Sequence, residues 1–295
     1  LTDVTGVQTC ALPISFTTGY SSVLENVGET RNRGIEIEIS STNIKTPDFI
    51  WSTDLNFSMN RNEIVSLYGG KEDDIGNKWF IGEPINVNYY WVFDGIWQTE
   101  EATEAKVYGA TPGDRRFKDL NDDGKIDDND RKILGNEEPS WIAGMTNRLK
   151  YKNFDLSAFI YTVQGTQHQS VYGAAGYLDL LSLQAHAYQD NIRDVEYWMP
   201  DRQSKKYQKP HISSQQMNDL QSFLNTSFIR VKNITLGYNV PQNVISRIWL
   251  NQARIYTSVE NPFTITPFGG YDPEAARDFD MPNYTTFLVG VNLTF

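Results

Sequence analysis

The last nine residues of the chain keep a strict two-residue period. Phe287, Val289, Val291, Leu293 and Phe295 fill one set of alternate positions, Leu288, Gly290, Asn292 and Thr294 fill the other, and the chain stops on the aromatic. Successive side chains of a strand point to opposite faces, so this segment builds a strand with one wholly apolar face. The pattern recurs. Ile35, Ile37 and Ile39 alternate with Glu36, Glu38 and Ser40, while Phe49, Trp51, Leu55, Phe57 and Met59 oppose Ser52, Asp54, Asn56, Ser58 and Asn60. Trp141, Ala143, Met145, Leu149 and Tyr151 oppose Thr146, Arg148 and Lys150, and Phe154, Leu156, Ala158 and Ile160 follow so soon that only a tight hairpin fits. Stretches 228–238 and 253–259 are strand-like and β-branched, with Pro241 opening a link that has room for a short helix. An all-β antiparallel fold follows.

No run of 18 or more apolar residues exists, which closes the helical route across a membrane. A transmembrane β-barrel needs no such run, because its apolar band is written into every second residue of strands of ~9–11 residues. The connections support that reading. Links 42–47, 151–153 and 240–251 are short, and 61–139, 164–225 and 261–283 are long, in strict alternation. Outer-membrane barrels have short periplasmic turns and long extracellular loops. On this reading about seven membrane strands end with a periplasmic C-terminus. Seven strands do not close a barrel of even strand number, so the chain is expected to be part of a larger one.

The long connection 61–139 holds DLNDDGKIDDND. Counting from Asp119, oxygen ligands fall at positions 1 (Asp119), 3 (Asn121), 5 (Asp123), 9 (Asp127) and 12 (Asp130), with the Lys125 carbonyl at 7 and Gly124 at the turn position 6. Six acidic residues against one lysine in twelve positions repel one another unless a cation relieves them. Ca2+ is the expected ion, at roughly 10⁻⁴ to 10⁻³ M affinity for an isolated extracellular site. The competing reading is an Asx-rich turn without metal. Asp130, where a longer glutamate is usual, shortens the reach.

A formal charge of −11 leaves no footprint for a nucleic-acid partner, and Lys205, Lys206 and Lys209 read as a solvated loop. His168, His186 and His211 lie far apart without ligand spacing, and pairs such as Asp73 and Asp74 carry no catalytic pattern. No nucleophile elbow, phosphate loop or zinc-protease signature is present, so no enzyme is expected.

The stretches VGETRNRGIEIEIS (27–40), PGDRRFKDLNDDGKIDDNDRKILGN (112–136), YKNFDLSAFIYTVQG (151–165), SFIRVKNITLGYNVP (227–241), RIYTSVENPFTITPFGGYDPEA (254–275) and the terminal VNLTF resemble, in order, the C-terminal part of SusC/RagA-type TonB-linked outer-membrane transporters. Asp122 departs from the family pattern, which usually has glycine there. The resemblance covers 16–295 and implies a barrel of about 22 strands with a plugged lumen, of which this chain holds the last third. It implies import of oligosaccharides or peptides, a SusD-like surface lipoprotein as lid, and the TonB complex acting through a missing N-terminal plug. It also implies that Phe287, Val289, Val291, Leu293 and Phe295 form the signal read by the outer-membrane assembly machinery. The location implied is the outer membrane of a Gram-negative bacterium, with the substrate-contacting residues unknown.

Two rival readings stay open: a secreted, calcium-stabilised glycan-binding β-module using aromatics such as Tyr89, Tyr90, Trp91 and Trp97, and a TonB receptor for metal chelates. The opening LTDVTGVQTCALPIS has no counterpart in the family, and TGVQTCALPI resembles a translated sequencing adapter. Residues 1–15, including Cys10, the single cysteine, are therefore expected to be an artefact outside the native fold.

Overall fold

A computed structural model describes residues 2–13, 22–169, 196–209, 223–246, 250–275 and 283–295. One eight-stranded antiparallel sheet organises it. Its members are β1 (Thr2–Pro13), β2 (Ser22–Lys45), β3 (Phe49–Leu67), β8 (Trp141–Tyr151), β9 (Phe154–Gln164), β12 (Phe228–Asn239), β13 (Gln252–Ile265) and β14 (Thr286–Thr294). Each strand pairs with the next of these in chain order, so the sheet is a meander whose connections alternate between its two ends. The short elements β4 (Val87–Trp91), β5 (Phe93–Ile96), β6 (Arg115–Phe117), β7 (Arg131–Asn136), β10 (Gln167–Gln169) and β11 (Phe223–Asn225) form two-stranded pairs within the long connections.

Two features differ from the sequence expectation. The sheet has eight strands rather than seven, because Thr2–Pro13 pairs with Ser22–Gly34 of β2. The wet half of β2 lacks the alternation that marks Ile35–Ile39, yet its backbone groups still need partners, and a ladder asks nothing of side-chain pattern. For the same reason β3 runs on to Leu67 and β13 to Ile265, so the first and last long connections begin later than 61 and 261. Link 240–251 does carry a helical turn, Gln242–Ile245. There Ile245, Leu250, Ala253 and Val240 pack into a small apolar plug.

The two sheet faces differ in chemistry. The register aligns Trp51, Leu149, Leu156, Leu236, Thr257 and Val289 in one row and Ser52, Arg148, Ser157, Thr235 and Ser258 in the next. On the apolar face Ile37, Ile39, Leu156, Leu236, Ile255 and Val289 are exposed, the last at 77%. Nothing among the described residues covers this face, and an apolar surface of that extent in water marks a membrane or partner contact. Trp141 and Tyr151 open and close the 11-residue β8 on this face. At ~3.3 Å per residue and a tilt near 40°, they stand about 25 Å apart along the barrel axis, the height of an outer-membrane apolar band with its aromatic rims. Within the band Asn147 and Thr53 face each other as polar residues, and Asn147 Oδ1 accepts from Trp51 Nε1 at 3.0 Å and Thr53 Oγ1 at 2.8 Å, keeping these polar atoms satisfied without water. No helix among the described residues is long and apolar enough to cross a membrane.

Candidate functional site

The long connections share one end of the sheet, and much of the buried apolar core is found there rather than between layers. Tyr90, Ile96, Trp97, Ala105 and Trp198 are all buried. The β4–β7 and β5–β6 pairs frame this module. The acidic loop runs from β6 to β7, clamped at its base where Trp91 Nε1 donates to the Asp127 carbonyl at 2.5 Å and the Arg131 guanidinium lies 4.4 Å from the centre of the Trp91 ring.

Within the loop the expected ligands are occupied by backbone amides. Asp119 accepts from Asp123 N at 3.2 Å and Gly124 N at 2.7 Å, and Asn121 also accepts from Asp123 N at 3.1 Å. Asp123 accepts from Lys125 N at 2.9 Å. Asp127 caps the 3-10 turn 128–130 by accepting from Asn129 N at 2.8 Å. Asp130, fully buried, takes Leu120 N at 2.7 Å on one oxygen and Asp127 N at 2.8 Å on the other. Gly124 (φ 80°) and Asp122 (φ 58°) supply the left-handed turns; where the related pattern has glycine, the short polar Asp122 tolerates the conformation. Burial, with the negative charges of Asp119 and Glu104, pushes the Tyr108 hydroxyl up. Among the described residues no group of three or more His, Cys, Asp or Glu side chains is disposed to hold a metal ion. The six residues thus share one loop, in which the side-chain oxygens of Asp119, Asn121, Asp123, Asp127 and Asp130 accept from the loop's own amides.

Other sequence candidates are dispersed. His168 Nδ1 lies 2.8 Å from Thr226 Oγ1 where β10 meets β11, while His186 and His211 fall outside the described residues. Asp74 accepts from Tyr68 Oη and Asn77, Asp73 accepts from Ile81 N, and Lys209 Nζ donates to Thr111 Oγ1 and the Pro112 carbonyl and pairs with Asp114. These are structural contacts within loops. Phe287, Val289, Val291 and Leu293 of β14 and Phe295 just beyond it are all exposed, and among the described residues the strand pairs with β13 alone.

One buried cluster escaped the sequence reading. Arg230, on the wet face of β12, has a side chain 2% exposed and bonds Asp272 at 2.6 Å as well as Glu274. Lys232 Nζ reaches Glu274 at 3.1 Å, and Asp272 accepts from the backbone and side-chain nitrogens of Asn283 at 2.8 and 3.0 Å. Burial opposes ionisation of Asp272, but the amides of Asn283 and Glu274 together with Arg230 outweigh it and hold the carboxyl below its usual range. The available signal was that Arg230 and Asp272 sit in two of the quoted motifs, SFIRVKN and GGYDPEA.

No protein-family model matches the chain. TonB-dependent receptor P3 of Formosa agariphila is 31% identical over 312 residues, covering 96% of this chain and 30% of that receptor. TonB-dependent receptor SusC of Bacteroides thetaiotaomicron is 30% identical over 291 residues, 93% of this chain and 27% of its own length. Among solved structures, the RagAB peptide transporter superposes with a TM-score of 0.73 at 22% identity over 96% of this chain and 31% of that one. The chain therefore spans about a third of the length of the relatives it matches. Its open sheet, with an uncovered apolar face, is the corresponding part of a barrel wall. Over nearly its whole length the chain is thus similar to TonB-dependent receptors, SusC among them, and it shares the fold of the matching part of the RagAB transporter.

Proposed function

We propose that this chain is the C-terminal wall of an outer-membrane importer of oligosaccharides or peptides, driven by the TonB complex and capped by a SusD-like lipoprotein. The observation that carries the reading is the sheet itself: one face apolar and exposed across a membrane-high band, the other polar, with every long connection at one end. A secreted glycan-binding module has no use for such a face, since in water it costs about 25 cal/mol for each Å² left uncovered. A barrel wall places it in lipid and turns the polar face to a lumen. The test uses the full-length protein that contains this segment. Its recovery in the outer-membrane fraction, with uptake that stops when TonB is deleted, is expected, and recovery as a soluble secreted protein overturns the proposal. Whether a neighbouring gene encodes a SusD-like lipoprotein tests the lid, and the degradative enzymes encoded beside it indicate glycan or peptide.

Three narrower readings accompany it. The exposed apolar positions of β14 and the terminal Phe295 serve as the assembly signal. Residues 1–15 are not native, and the nucleotide record is expected to carry adapter sequence across codons 4 to 14, whether or not the backbone of 2–13 can pair. The twelve-residue spacing keeps calcium as a ligand of 119–130 only if the carboxylates turn from amide to ion. Terbium luminescence on the full-length protein, compared with Asp119→Ala, decides this, and equal signals remove it.

A further inference from the structure

The β12 ladder carries a bulge between Val231 and Asn233 on both of its edges. A bulge adds one residue without a partner and re-aims its neighbours. Against β9 the added residue is Lys232, whereas against β13 the surplus lies on β13 itself, at Asn261 and Pro262; Arg230 and Lys232, two apart and so on one side of the strand, reach the same carboxylate, Glu274. The partners come from both ends of the last long connection. Asp272 and Glu274 lie where it leaves β13, and Asn283 lies where it returns to β14, its Nδ2 donating to Asp272 at 3.0 Å and to Glu274 at 3.0 Å. Both ends of the connection thus meet at the two carboxylates that the buried guanidinium holds. Phe228 flanks it, with the Arg230 guanidinium 5.1 Å from the ring centre, and Arg230 Nε donates to Thr264 Oγ1 at 2.9 Å. Every face of the guanidinium fork is engaged.

We infer that Arg230 is a positioning residue of the barrel mouth: it pins residues 272–274 and, through them, Asn283 to the polar face of the wall, so that this part of the entrance keeps one shape while substrate passes. Lysine is a poor replacement, because a point charge cannot hold two carboxylates and a threonine hydroxyl in one plane. The inference rests on the importer reading, since a fixed entrance has a role only where cargo enters.

The test uses the full-length transporter with a spin label on Tyr271→Cys, a position 83% exposed, in a background freed of other cysteines. Heat-modifiable migration on gels reports the folded barrel. Arg230→Met is expected to leave the barrel assembled, to convert the label from a slow to a fast spectrum, and to raise the KM for uptake at least threefold with little change in maximal rate. Arg230→Lys should restore the label spectrum only in part. If Arg230→Met does not assemble, Asn283→Ala, at the solvent side of the cluster, is read in its place. An unchanged label spectrum in an assembled variant overturns the latch, and a mobile label with unchanged KM overturns the positioning role. Absence of uptake by the unsubstituted transporter sinks the importer reading instead, while the label still reports on the latch.

Discussion

Gly237 offers the sharpest test of how the polar face is built. It lies on β12 between Asp155 of β9 and Arg254 of β13, which reach across it to pair, Nη2 to Oδ2 at 2.5 Å and Nε to Oδ1 at 3.1 Å. A Cβ at 237 would stand 2.5 Å from Arg254 Nη2, 2.6 Å from its Nε and 2.6 Å from Asp155 Oδ2. Those separations are untenable, so Gly237→Ala must push the arginine off its partner. A charge-assisted hydrogen bond contributes roughly 1.5–3 kcal/mol when well buried. These side chains are 28% and 30% exposed, so solvent screening reduces the loss to about 1–2 kcal/mol. Alanine returns about 0.5–1 kcal/mol by restricting the unfolded chain. The net expectation is a destabilisation of ~1 kcal/mol in chemical unfolding of the full-length barrel in detergent. In the Asp155→Ala, Arg254→Ala background the clash is gone, and the same substitution should be neutral or stabilising by up to ~1 kcal/mol. An equal cost in both backgrounds would refute the reasoning, because the glycine would then be needed for something other than passage of the ion pair.

Three further outcomes follow from the same geometry. Asp122→Gly, which relieves a left-handed residue in the acidic loop, should stabilise that loop by ~0.5–1 kcal/mol in local hydrogen exchange, whereas Asp122→Val should cost about 1–2 kcal/mol. Because the Asp272 carboxyl is held below its ordinary value of 3.8, its contribution to the latch is complete above that pH and is lost as pH falls through the lowered folded value; the Tyr271→Cys label should stay slow at pH 5 and quicken only in stronger acid, and release between pH 7 and 5 would contradict this. Deleting Phe295 should lower the yield of assembled barrel several-fold without changing transport by the molecules that do assemble, and an unchanged yield in membrane fractions removes the assembly role.

What the residues reveal by themselves depends on how local the physics is. Ile35, Ile37 and Ile39 announce a strand because the lipid-facing requirement acts on each second residue independently, and Pro47 or Lys152 sit in links too short for anything but a turn. Beyond the apolar band that requirement lapses. Residues 28–34 and 61–67 extend β2 and β3 through the ladder, the Arg31–Glu63 pair and the burial of Ile64 and Leu67 under the loops, none of which follows the two-residue period, so the strands end later than that period indicates. The acidic loop shows the opposite case. Its spacing is legible at once, but the same Asp and Asn oxygens that suit calcium also suit amide hydrogens two to five residues away, and the spacing alone does not reveal those amide bonds.

The Arg230 cluster marks the limit of reading along a chain. Arginine in a strand of an acidic protein, 42 residues from the aspartate it binds, looks like any wet-face cation. Burial makes it different: leaving either charge alone in that site would cost about 3–5 kcal/mol, so the pair constrains the connection far more than an exposed bridge of the same length could. Lys232, two residues on and therefore on the same face, adds a second cation that reaches Glu274. Two cations on one face of β12 thus meet carboxylates that also hold Asn283, so a single strand fixes both ends of the last connection, and it is the fold of that connection, not any pattern along the strand, that selects these partners.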